Sequence, residues 1–171
     1  MALDLTGEYT LPLPRSAVWS ALNDPAVLQR CVPGCETFDR LSDTEFAVVT
    51  QLAIGPVKAR FKGKLRLEDI NPLNGCTIVG AGEGGLAGFA KGSATVALID
   101  FAEGTQLTYR AQAQIGGKLA QLGQRLIAGT TRKLADLFFA KFIAALSPNQ
   151  ETAPRVEIAD DRAAMPSGNS V

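Results

Sequence analysis

Residues 116–146, GGKLAQLGQRLIAGTTRKLADLFFAKFIAAL, constrain the rest of the chain most. As one helix at about 1.5 Å per residue the stretch would span roughly 45 Å. On a helical wheel Leu122, Leu126, Ile127, Leu134, Leu137, Phe138 and Phe142 share one broad face. Lys118, Gln121, Arg125, Arg132 and Asp136 fall on the other, which is the pattern of an amphipathic helix. Phe139 and Ile143 fall toward the polar side, where they meet the short helices, a partner or a membrane surface. Such an apolar face needs a large surface to lie on, and the alternating segments before it supply a sheet. Gly123, Ala128, Gly129 and Thr130 interrupt the large residues, so the space beneath is either fully packed or leaves room for a ligand.

The segments before that helix alternate with period two. Leu3, Leu5, Gly7, Tyr9 and Leu11 face one way against Asp4, Thr6, Glu8 and Thr10, which predicts a half-buried strand ended by Pro12 and Pro14. Ser16 is placed to cap a short helix through Leu22, and Asp24 a second one opened by Pro25. Strands are then predicted over 44–54, 57–67, 76–81, 90–100 and 105–115. Their connections, at Gly55-Pro56, 71–75 and Glu103-Gly104, are short, so neighbours are antiparallel. The pattern predicts an α+β domain over 1–146. Residues 147–171 read as a polar, disordered tail, with two arginines against four acids.

Composition excludes several chemistries. The 171 residues contain no histidine, which removes Ser-His-Asp and Cys-His nucleophile systems and the commonest metal ligand. Cys31, Cys35 and Cys76 make neither a disulfide framework nor a zinc pattern. Carboxylates Glu36, Glu45, Glu68, Asp69 and Glu83 show no spacing that suggests acid–base catalysis. The formal net charge is zero, and no outward aromatics interleave the cations, so nucleic acid is not an expected partner. Neither a transmembrane run nor a signal peptide is read, which places the protein in the cytoplasm. No metal or cofactor is expected.

Three sets of residues are candidates for function. Phe61, Leu65, Leu86, Phe89, Leu122 and Leu126 are expected to converge on one apolar space between sheet and helix. The glycines of 80–92 either bend the sheet or, at Gly84, Gly85 and Gly88, make a mobile turn that gates the pocket. Lys58, Arg60, Lys62, Lys64 and Arg66 alternate along one strand. They form either a solvated face or a positive stripe for anionic headgroups or an acidic partner.

The order of elements resembles the helix-grip fold of the START and Bet v 1-like superfamily. That fold is a curved antiparallel sheet of six or seven strands around a long C-terminal helix, with two short helices after the first strand. PLPRSAVWSALNDPAVLQRCVPGCE at 12–36, IGPVKARFKGKL at 54–65, GEGGLAGFAKGSATVAL at 82–98 and LTYRAQAQIGGKLAQLGQRLI at 107–127 resemble the carbon monoxide dehydrogenase G-subunit family. The resemblance implies a non-enzymatic accessory protein of an aerobic molybdenum-containing carbon monoxide dehydrogenase or related hydroxylase. It also implies a hydrophobic ligand, a lipid or a respiratory quinone, and peripheral contact with the inner face of the cytoplasmic membrane. Homodimerisation is left open. So are an enzyme of the same fold, a cyclase or hydrolase, and a ligand-free interaction module.

Overall fold

The computed structural model describes residues 1–147. Strand β1 (Ala2–Leu11) leads into helices α1 (Arg15–Leu22) and α2 (Pro25–Cys31). Six strands follow: β2 (Cys35–Arg40), β3 (Glu45–Ile54), β4 (Val57–Asn71), β5 (Gly75–Glu83), β6 (Phe89–Phe101) and β7 (Gly104–Gly116). A single 3-10 turn, Gly85–Ala87, joins β5 to β6. Helices α3 (Lys118–Gln121) and α4 (Gln124–Leu146) close the described chain. The sheet is antiparallel throughout, in the order β1-β7-β6-β5-β4-β3-β2. The tail expected over 147–171 lies outside the described residues except for Ser147.

Alternation explains the sheet directly. In β4 the odd-numbered residues from Val57 to Leu67 turn inward and the even-numbered cations outward, as burial along the strand shows. Strand β2, unread in the sequence, adds Phe38 to the inner face; its short CETFDR run lacks clean alternation, and a bulge shifts its register between Cys35 and Thr37.

The single helix expected over 116–146 is two. Gly116 ends β7, Gly117 turns at φ 75°, and Gly123, at φ 88° and ψ 157°, separates α3 from α4. That positive-φ, extended backbone suits glycine and stops a helix. The expected helix face also needs correction. Phe139 is buried and stacks on Tyr9 at 4.1 Å between ring centroids, whereas Leu126 and Leu137 are exposed. The reason is tertiary: α4 lies against β1 and also against α2, so two sides of the helix are covered, not one. Ile143 is half-buried in the same core. At α1 the cap position is Pro14, with no side-chain cap, instead of Ser16. Asp24 caps α2 as expected, its Oδ1 accepting from the Ala26 N–H at 3.0 Å.

Two separate cores form on the inner face. The larger joins Leu11, Val18, Cys31, Leu98, Leu107 and Phe142 beneath α1 and α2. The smaller joins Leu3, Leu5, Ile115, Leu119 and Ile127 at the other end of the strands. Thr105, fully buried in the larger core region, donates to the Leu13 carbonyl at 2.7 Å, so its hydroxyl is satisfied.

Candidate functional site: an apolar cavity on the inner face

Between the two cores the inward side chains shrink. On β7 the inner row reads Leu107, Tyr109, Ala111, Ala113, Ile115. On β6 it reads Ala90, Gly92, Ala94, Val96, Leu98, and β4 and β5 contribute Gly63, Gly80 and Gly82. This floor of glycine and alanine leaves a cavity of about 420 Å³. Its walls are Phe38, Val48, Phe61, Leu65 and Ile78, with Val32 at the end of α2. The volume lies within the usual ~300–1,000 Å³ of small-molecule sites.

The lining is almost wholly hydrocarbon. The Thr50 hydroxyl is used up by the Pro33 carbonyl, at 2.8 Å. Lys91, Ser93 and Gln112 border the cavity from strand positions whose side chains point outward. Burial pushes the thiols of Cys31, Cys35 and Cys76 up, so none is poised as a thiolate. Among the described residues there is no group of three or more His, Cys, Asp or Glu able to hold a metal. The arrangement can exclude water from an apolar molecule and hold it by dispersion and burial.

The six residues expected to converge do not all meet here. Phe61 and Leu65 line the cavity. Leu122 packs instead against the smaller core, because the break at Gly123 turns it there. Leu126 reaches across to the β3–β4 turn, where a Cβ on Gly55 would lie 2.9 Å from its Cδ2. Phe89 and Leu86 are exposed, Leu86 at 86 %. Phe89 takes an outward position on β6, where the alternation that places Ala90 and Gly92 inward leaves it. The floor residues escape the sequence reading. The signal for them is glycine and alanine recurring at every second position, which puts the gaps on one face.

The glycine turn sits directly on a cavity wall. A Cβ on Gly84 would lie 2.6 Å from Phe61 Cε1, so only a glycine lets the turn rest on that ring. Gly85 and Gly88 adopt φ 62° and 116°.

All five stripe cations of β4 are on the exposed face, but they are not equivalent. Arg60 donates to Glu36 at 2.8 Å and Arg66 lies 2.6 Å from Glu68. The Gln51 amide and the Arg60 guanidinium, in that order, hold the Glu36 carboxyl below the usual range. Lys62 is opposite Glu83 in the β4–β5 register. Lys58 and Lys64 have no carboxylate within ion-pair distance among the described residues. Ala81 sits between Lys64 and Lys91 in the ladder, so Lys91 joins the stripe from two strands away.

The cavity is lined by strands β2 to β7 and Val32, with no residue of α3 or α4; a long helix packed at the end of a curved antiparallel sheet defines the helix-grip class. Solved structures of other proteins share it. A conserved protein from Geobacillus kaustophilus is 31 % identical with a TM-score of 0.81, over 85 % of this chain and 95 % of that one. Ara h 8.0201 has the fold at 13 % identity and a TM-score of 0.61, over 87 % of this chain and 100 % of that one. The ZhuI aromatase/cyclase from Streptomyces sp. R1128 does so at 11 % and 0.63, over 85 % and 94 %. No functionally curated protein matches the chain. Residues 7–147 match the family model of the carbon monoxide dehydrogenase G subunit (CoxG), and the chain belongs to that family. Membership points to an accessory protein associated with carbon monoxide dehydrogenase.

Proposed function

We propose that the protein is a non-enzymatic carrier and adaptor. It holds a lipid or a respiratory quinone in its cavity and links a molybdenum-containing carbon monoxide dehydrogenase, or a related hydroxylase, to the inner face of the cytoplasmic membrane. The observation that carries this reading is the apolar cavity of about 420 Å³ over a glycine and alanine floor. The hollow opens to solvent, and its nearly all-hydrocarbon lining suits an apolar ligand. A cavity without acid–base pair, nucleophile or metal set supports binding over catalysis, although the fold also serves an aromatase/cyclase.

The membrane side of the reading rests on the turn at the cavity wall. Among the described residues no helix is long and apolar enough to cross a membrane, so contact would be peripheral. Leu86, the most exposed large apolar residue described, projects from the glycine turn that covers Phe61. Lys58, Lys62, Lys118 and Arg125 belong to the same end of the strands and helices. One leucine and several cations suit a shallow, reversible contact with anionic headgroups.

Native mass spectrometry of gently purified protein tests the carrier role. An apolar mass should co-purify, and ubiquinone or menaquinone added in detergent should bind the emptied protein. A protein that neither carries nor takes up any quinone or phospholipid would end this reading.

A further inference from the structure

We propose that the hairpin end of the sheet, opposite the Leu86 turn, is the surface on which the partner enzyme docks, through an apolar patch ringed by lysine and arginine on the enzyme. The identity of the partner rests on the adaptor reading above; the surface itself rests on the following observations.

Apart from Leu41 in the β2–β3 turn and Leu137 on α4, the exposed large apolar side chains described lie at the two ends of the strands. Leu86, Phe89 and Leu126 belong to one end. Ile70, Leu73, Ile99 and Phe101 belong to the other, at 42 %, 40 %, 53 % and 46 % exposure. Leu73 lies in the β4–β5 loop, and Ile70, Ile99 and Phe101 lie in the last residues of β4 and β6 that flank this loop and the β6–β7 turn. The Leu98 N–H donates to the Asn74 carbonyl at 2.8 Å, which holds the two connections side by side. Single exposed leucines need no explanation, but four on neighbouring hairpins form a patch.

The backbone here adopts left-handed conformations at residues that carry side chains. Among the described residues the non-glycine positions with positive φ are Asp69 at 50°, Leu73 at 70° and Ala102 at 52°. Leu73 and Ala102 lie in these two connections, and Asp69 lies in the register shift near the end of β4. Left-handed backbone is disfavoured for side chains with a Cβ, and glycine or asparagine would relieve it.

The patch is also fixed before any partner arrives. Arg15 Nε donates to Asp100 Oδ1 at 2.9 Å, and its Nη1 donates to Asn74 Oδ1 at 2.8 Å and to the Leu73 carbonyl at 3.2 Å. One guanidinium therefore ties both hairpins to the start of α1. Less ordering then remains to be done on binding.

Charge selects the occupant. Glu68, Asp69, Asp100 and Glu103 surround the patch; Arg66 and Arg15 neutralise Glu68 and Asp100, leaving Asp69 and Glu103 without an ion pair among the described residues. The Leu86 end carries Lys58, Lys62, Lys118 and Arg125 against Glu83. Zero net charge thus conceals an acidic end and a basic end. An anionic membrane is repelled by the acidic rim, and so is an identical patch on a second copy. A basic-rimmed protein surface is complementary.

Binding of the full chain to purified carbon monoxide dehydrogenase from the same organism tests this by biolayer interferometry at low and high salt. Replacing Ile99 and Phe101 together by Gln should weaken binding by roughly tenfold or more, as loss of apolar anchors does. Glu103→Lys should weaken it less and flatten its salt dependence. Leu86→Gln should leave enzyme binding unchanged. Circular dichroism checks that each variant folds, and Glu103→Lys keeps the test alive if the double variant does not. Parental binding by both hairpin variants, or loss with Leu86→Gln alone, would overturn the proposal and spare the adaptor reading. No binding by the wild-type chain would remove both. A dimer in light scattering that the double variant abolishes would assign the patch to a second copy and overturn the proposal as well.

Discussion

The larger core and the cavity floor are built on the same strands, yet one is filled and the other is not. Beneath α1 and α2, β6 and β7 present Leu98 and Leu107, which close on Phe142 and Val18 with nothing left accessible beyond 2 %. Two to three pleats along, the same two strands present Gly92, Ala94, Ala111 and Ala113, which line the cavity, Ala111 and Ala113 also edging the smaller core. The backbone ladder is continuous through both regions. Close packing and open space are therefore assigned to different stretches of one sheet by side-chain size alone. A protein that stores its stability in one place can leave a void in another.

That division can be broken from the packed side. Phe142 is fully buried in the aromatic group with Phe138 and Phe139. Phe142→Ala should cost about 3–5 kcal/mol in urea unfolding, the largest single effect expected. Not every floor glycine is spare space. A Cβ on Gly92 would lie 2.0 Å from the Gln112 carbonyl oxygen, so Gly92→Ala must move backbone and should cost roughly 1–3 kcal/mol. Gly82 is different, since a Cβ there meets nothing nearer than 3.5 Å. Gly82→Leu should fill the cavity and lower quinone affinity about tenfold or more, while stability changes by less than ~1 kcal/mol. Isothermal calorimetry and urea unfolding on one sample separate the two effects. Equal quinone binding by parent and variant would place the ligand elsewhere.

The smallest effect concerns Tyr9, which packs beside the filled region and donates to Asp136 Oδ1 at 2.7 Å. Burial, then the hydrogen bond and charge of Asp136, raises its phenol well above the ordinary value. The folded state thus keeps a proton that the unfolded chain gives up above pH ~10. The stabilisation is complete below that pH and is lost as pH rises beyond it. Urea midpoints measured from neutral pH to about pH 11 should fall more steeply for the parent than for Tyr9→Phe. Parallel slopes would show that the phenol ionises alike in both states.

The strands were legible because each side chain in a half-buried strand answers to one face, and β4 writes that alternation without interruption. The grip architecture followed, with the family resemblance supplying its curvature and closure. The broken helix was not legible, since Gly123 fits the amphipathic period and only its backbone angles reveal the stop. Phe139 falls off the apolar stripe on a wheel, yet with Ile143 it meets the short helices, one of the expected alternatives, because α2 covers a second side of α4. The cavity was half legible: Phe61 and Leu65 stand out as large inward residues, whereas the floor consists of what is absent. Pairing of Arg60 with Glu36, and the row joining Lys64 to Lys91, depend on register between strands, which no single strand records.

The pairing of β1 with β7 sets an order of events during synthesis. Ala2 pairs with Gln114 and Leu11 with Thr105, so β1 must wait for the last strand of the sheet to leave the ribosome. At ~5–20 residues per second, the roughly one hundred residues between them take about 5–20 s to appear. Through that interval Leu3, Leu5 and Leu11 have no strand to join, and the nascent chain presents an apolar ribbon with an open edge. Closure is then a long-range step that shorter, consecutive hairpins cannot hasten. The nascent chain therefore offers general chaperones a binding segment in β1, one that disappears when β7 emerges.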